Sequence, residues 1–126
     1  MVILVTGKQG AGKTHHADLL ANELMNESND VYRIDGDSFR ELTGNNDYTD
    51  AGRIRNLMDA AQLAAEYEKK GYIVILSFIA PVKAWRDAMR KAWLQSRLIY
   101  IPGGKLWEGT TYERPIAEEL EIQSNY

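Results

Sequence analysis

Eight residues near the start, GKQGAGKT at 7–14, place glycines, a lysine and a hydroxyl at a spacing that suits phosphate chemistry. Gly7, four residues, Gly12, Lys13 and Thr14 follow the apolar run VILVT and precede a helical stretch, the strand, loop and helix context that the motif needs. Glycines at 7, 10 and 12, with Ala11 among them, let successive backbone N–H groups turn inward around phosphate oxygens, and the next helix aims its positive end at them. Lys13 then reaches the β and γ phosphates, and Thr14 can hold magnesium. A glycine-rich turn that only joins strand to helix does not account for all the matching residues. His15 and His16 follow directly; adjacent helical residues point about 100° apart, so they do not converge on one ion, and they read as first-turn residues with His15 near a phosphate.

A second chemical cluster is IDGDSFR at 34–40, where two carboxylates stand at the carboxyl end of a strand. In a parallel sheet that edge is where ligands bind. Asp35 suits orienting or deprotonating an acceptor hydroxyl, or holding magnesium through water, and Asp37 suits capping the helical turn SFREL or facing the substrate.

The elements that carry these residues follow from periodicity. Short β-rich runs at 2–6, 31–34, 73–77 and 98–101 alternate with longer helical stretches, whose apolar faces are Ala17, Leu20 and Leu24; Ile54, Leu57, Met58, Ala61 and Ala65; and Val82, Trp85, Met89 and Trp93. Nearly continuous apolar strands joined by helices imply a buried parallel sheet covered on both faces, an α/β three-layer arrangement. The polar stretch TGNNDYTD at 43–50 reads as a loop, PGGK at 102–105 as a tight connection, and the final IQSNY as a frayed end. With 126 residues, 44% of them apolar and 26% charged, the chain is expected to form a single domain over 1–126. It has no cysteine, which excludes disulfides, thiolate zinc sites and cysteine nucleophiles. The sequence shows no basic leader and no apolar stretch near 20 residues, so a cytoplasmic protein without a membrane partner is expected. A net charge of −3 favours a small-molecule partner over nucleic acid.

Beyond single motifs, the chain resembles the adenylylsulfate kinase family, whose members use ATP to phosphorylate the 3′-hydroxyl of adenosine 5′-phosphosulfate. GKQGAGKT resembles that family's opening, IDGDSFR its Asp-Gly-Asp motif, DYTDAGRIRN its acidic loop followed by Arg and Asn, and LSFIAP its Ser-Phe-Ile-Ser-Pro segment. WEGTTYERP at 107–115 is similar to a compressed form of its Phe-Thr-Gly stretch. The resemblance runs in order over roughly residues 1–95 and again in the tail. It implies the P-loop NTPase fold, a kinase reaction in sulfate assimilation, ATP with Mg2+, and a nucleotide-like small-molecule substrate, and it leaves a homodimer open. Carried over by position, Lys13 and Asp35 are catalytic, with Asp35 activating the acceptor. Arg40, Arg53 and Asn56 grip the phosphosulfate and ribose side beside Asp37, Tyr48 and Trp107 sandwich the adenine, and Ser77, Phe78 and Ile79 line the cleft floor. Arginine forks suit oxyanions, and stacking on an aromatic ring is worth about 1–3 kcal/mol per base.

Two departures qualify the match. Met58 and Asp59 stand where the family carries a second arginine, and only PGGK stands where the family has a mobile, lysine-bearing lid after the fourth strand. Lys105, Arg86 and Arg90 are the candidates to replace the lid's charge. Two rival readings remain open at this level: a kinase for another hydroxyl, such as a modified base in nucleic acid or a small alcohol, and an ATP-binding module that transfers nothing.

Overall fold

The computed structural model describes residues 1–106 and 110–126. Its sheet is built from β1 (Val2–Thr6), β2 (Val31–Asp35), β3 (Ile73–Phe78), β4 (Gln95–Tyr100) and β5 (Gln123–Ser124), in the order β2-β3-β1-β4-β5. The first four strands are parallel, with Leu4 of β1 standing between Leu76 and Leu98; β5 runs antiparallel to β4. Four helices join them: α1 (Lys13–Asn26), α2 (Gly36–Thr43), α3 (Asp50–Lys69) and α4 (Lys83–Arg90), with one 3-10 turn at Ala117–Leu120.

Successive residues of a strand face opposite sides of the sheet, so β1 is apolar throughout because both of its faces are covered. Val2 and Leu4 join Ile34, Val74, Leu76 and Leu98 in the core under α3 and α4. Ile3 and Val5 join Ile75 in the core under α1, whose Ala17 and Ala21 are buried there. Small residues at 60, 61, 64 and 65 let α3 lie close on the sheet. Trp93 fills the space beside them and donates its indole N–H to the Ala61 carbonyl at 2.9 Å. These layers are those expected of a P-loop NTPase fold.

Two expectations change. β4 begins at Gln95, three residues before the apolar run that marks it, because the polar residues Ser96 and Arg97 still pair with Val2 and Ile3. The final residues are anchored rather than frayed: Gln123 and Ser124 pair with β4, and the Asn125 amide donates to the carbonyls of Arg90 and Trp93. Among the described residues no helix is long and apolar enough to cross a membrane.

Candidate active site

The carboxyl ends of β1, β2 and β3 meet above α1, and the loop 7–12 leaves β1 there. Gly12 is the N-cap of α1 at φ 97, a left-handed conformation that suits glycine and turns the loop into the helix. The Ala11 amide donates to the Lys8 carbonyl at 3.2 Å, and the Lys13 ammonium folds back to the same carbonyl at 2.7 Å. A cavity of about 300 Å³ opens over this loop, lined by Gly10, Gly12, Lys13, Thr14 and His15 on one side and Asp35, Asp37, Ser77, Phe78 and Ile79 on the other. Gly7 and Ala11 belong to the loop but do not line that cavity.

Parallel pairing places Asp35 of β2 directly beside Ser77 of β3. One carboxylate oxygen of Asp35 accepts hydrogen bonds from the Thr14 and Ser77 hydroxyls, each at 2.9 Å. Burial resists ionisation of this carboxyl, but hydrogen bonds from the two hydroxyls and the Ser38 amide, with the nearby Arg33 guanidinium, outweigh it and hold Asp35 below the ordinary carboxylate range. Asp35 is also the residue that precedes α2, so the helix is not capped by Asp37 as the sequence suggests; Asp37 lies in its first turn. Around Lys13, burial lowers the ammonium's pKa, and the charges of Asp35 and Asp37 raise it in part.

Two further chambers continue the cleft. One of about 90 Å³ is lined by Asp37, Arg40, Arg53, Asn56, Phe78 and Trp85 among others, and one of about 200 Å³ by Asp37, Arg40, Tyr48, Arg53 and Lys105. Asn56 is 4% exposed and its side-chain oxygen has no hydrogen-bond partner among the described residues. Asn56 is one of the residues that line the smaller chamber. Arg53 lies 5.7 Å from the Trp85 ring, and Arg40 lies over the Tyr48 ring at 4.4 Å while donating to the Asn45 and Asp47 carbonyls. Arg40 therefore covers one face of the ring that the resemblance assigns to a base. Trp107, the other half of that sandwich, lies outside the described residues.

Arg86 and Arg90 do not replace the lid's charge: both are buried and bonded to the tail and β4, away from all three cavities. Lys105 does reach the cleft. Its amide donates to the Gln9 carbonyl of the phosphate loop at 2.8 Å. Next to it Gly104 sits at φ 74, and a Cβ there would stand 2.6 Å from the same carbonyl, so only glycine fits. Sequence reasoning passed over Arg33, whose guanidinium donates to Asp18, to the Ile75 carbonyl and to Ser77. The available signal was an arginine inside an otherwise apolar strand.

The family model for adenylylsulphate kinase matches residues 1–102. The chain is 36% identical over 91 residues to the adenylyl-sulfate kinase of Aeromonas salmonicida, covering 71% of this chain and 46% of that one. It is 34% identical over 91 residues to a probable adenylyl-sulfate kinase of Archaeoglobus fulgidus, covering 71% and 59%. In fold it is similar to the Mycobacterium tuberculosis APS kinase solved with AMPPNP and APS, at a TM-score of 0.75 and 24% identity over 80% of this chain and 61% of that one. The chain spans about half the length of the curated relatives it matches. With the phosphate loop, the paired carboxylates and the Arg and Asn helix start falling in the matched stretch, this chain belongs to the adenylylsulphate kinase family.

Proposed function

We propose that the chain transfers the γ-phosphoryl group of ATP to a hydroxyl of a small nucleotide-like acceptor, with adenosine 5′-phosphosulfate as the leading acceptor. One observation carries this reading: Asp37 and Ile79 line the phosphate cavity and both further chambers, so a donor and an acceptor would meet at that junction. Family membership supports the kinase class, and the two arginines support an acidic acceptor in a chain that is acidic overall.

In the transfer, the acceptor oxygen forms a bond to the γ phosphorus as the bond to the β,γ-bridging oxygen breaks, ADP leaves, and the acceptor's proton passes to a carboxylate or to water. Catalysis of this kind is mostly positioning and charge neutralisation. Lys13 and the amides of the loop bind the phosphates. The Thr14 hydroxyl and the Asp35 carboxylate, 2.9 Å apart, form a hard oxygen pair that fits Mg2+, which keeps several waters and needs few protein ligands. The bound ion would supply charge neutralisation on the phosphates. A carboxylate oxygen that already accepts two hydroxyls and is held below its usual pKa is a weak proton acceptor, so the geometry favours Asp35 on the metal side and Asp37 at the acceptor hydroxyl.

The test is a labelled-ATP transfer screen over adenosine 5′-phosphosulfate, nucleosides, sugars and DNA, with Lys13→Ala as the control. Transfer to the first of these, abolished in Lys13→Ala, supports the reading. Transfer only to DNA, with steep salt dependence, replaces the acceptor, and ATP binding without transfer replaces the activity. Within an active enzyme, Asp37→Asn is expected to lower kcat with ADP affinity kept, and Asp35→Asn to raise the magnesium needed for half-maximal rate. The reverse pattern returns acceptor activation to Asp35.

A further inference from the structure

The floor of the acceptor chambers is formed by residues 79–81, and each of their three carbonyls is tied by a group from outside the cleft. Thr6, at the end of β1, donates its hydroxyl to the Ile79 carbonyl. Arg86 donates to the Ala80 carbonyl at 2.8 Å, and the Glu113 amide to the Pro81 carbonyl at 2.7 Å. Ala80 itself is buried and sits at φ 42, in the left-handed region that a residue with a Cβ enters at a cost. Such a conformation persists only where its surroundings over-determine it.

Arg86 has the connections to do this. It is fully buried, and its planar fork reaches the Ala80 carbonyl, the Glu113 carbonyl at 2.8 Å, and both oxygens of Glu119 at 2.8 and 3.3 Å. Glu119 is buried in the 3-10 turn of the tail and also accepts from the Ile116 amide at 2.9 Å. Arg86 lines none of the three cavities, so its effect on an acceptor must pass through the floor.

We propose, resting on the kinase reading above, that Arg86 is a positioning residue for the acceptor pocket: oriented by Glu119, it holds the Ala80 carbonyl and keeps residues 79–81 in the shape that sets acceptor affinity. The C-terminal tail is then a working part of the acceptor site. A lysine in place of Arg86 keeps the charge beside Glu119 but has no fork with which to hold three partners at once.

The test uses the full chain with Arg86→Lys and, as a milder change that keeps the shape of the side chain, Glu119→Gln. Amide exchange is followed in the free protein, ADP binding by calorimetry, and kinetics with adenosine 5′-phosphosulfate. In Arg86→Lys the amides of Ile79, Ala80 and Val82 are expected to exchange about tenfold faster or more while those of β1 and α1 match the parent, and ADP to bind within about twofold. Acceptor KM is expected to rise about tenfold, with kcat falling less, as for a misplaced binding surface. Glu119→Gln should show the same pattern at smaller amplitude, and it decides the matter if the lysine variant does not fold. Faster exchange spread evenly over all elements, or a folded variant whose floor exchange and acceptor KM equal the parent's, overturns the proposal and leaves the pair as a tail anchor alone. If the parent does not use this acceptor, the kinase reading loses its leading substrate, while the exchange pattern, which needs no acceptor, still decides whether Arg86 fixes the floor.

Discussion

In the proposed transfer Lys13 is the residue that meets the phosphates, and its surroundings pull its charge in two directions. Burial among the loop residues lowers its pKa, and Asp35 and Asp37 raise it. If the ammonium binds phosphate as proposed, binding is strong while it is charged and is lost as pH rises through its pKa. Removing a carboxylate removes a raising influence, so Asp35→Asn and Asp37→Asn are each expected to shift the alkaline limb of ADP binding to lower pH than in the parent. Calorimetric titrations from neutral to alkaline pH measure this, and a limb that stays put or moves upward contradicts the arrangement. Asp35, whose hydroxyl donors and Arg33 hold it below the usual range, stays ionised throughout that window. Most residues of this site were legible because glycine, lysine, threonine and aspartate stand at fixed offsets from a strand end. Arg33 was not, because its use depends on the pairing of β2 with β3, which sets Ser77 beside Asp35 and brings the Ile75 carbonyl within reach.

At the scale of elements, the same contrast separates what apolar pattern reveals from what polar contacts decide. β1 and β3 are visible within a residue or so because a strand covered on both faces is a continuous apolar run, and β2, at the edge of the sheet, shows through Val31, Tyr32 and Ile34. β4 and β5 are edge-side strands with polar residues, and β5 pairs with β4 over only two residues, Gln123 and Ser124, so periodicity has little to show. α4 misled in another way: Arg86 and Arg90 read as candidates for the lid's charge, since nothing in a single sequence marks a guanidinium whose partners lie about 30 residues on in a tail. That attachment is energetic as well as geometric. Glu119→Ala leaves the Arg86 charge buried without its carboxylate and is expected to destabilise the fold by about 3–5 kcal/mol. Glu118→Ala, at the exposed neighbour, should stay within about 0.5 kcal/mol. Urea denaturation of the two variants makes the comparison, and equal midpoints would mean that the tail is not anchored through this pair.

For the molecule as a whole, the consequential feature is what connects β4 to the tail. Family resemblance leads one to expect a mobile lid there, and residues 101–116 are all that separates β4 from the 3-10 turn. The first part of that stretch is not free to swing, since Lys105 pairs with Gln9 and Gly104 lies against the phosphate loop. Further on, Tyr112 shares a hydrogen bond with Thr6 at 2.8 Å, and Glu113 is tied to Pro81. Among the described residues this connection is tied down, and a site fixed in this way would be preformed for binding without the exclusion of water that closing lids provide. In the proposed transfer, water would then compete with the acceptor at the junction beside Asp37. We therefore expect release of inorganic phosphate from ATP without any added acceptor, at a rate of the same order as transfer, and expect it to disappear in Lys13→Ala. An acceptor that fills the chamber lined by Arg53 and Asn56 should suppress this release as its concentration rises, because it displaces the water that reacts. Parallel assays of phosphate release and labelled-product formation measure the ratio. Transfer without detectable release, or release indifferent to a saturating acceptor, would mean that the short connection encloses the site as well as a lid does.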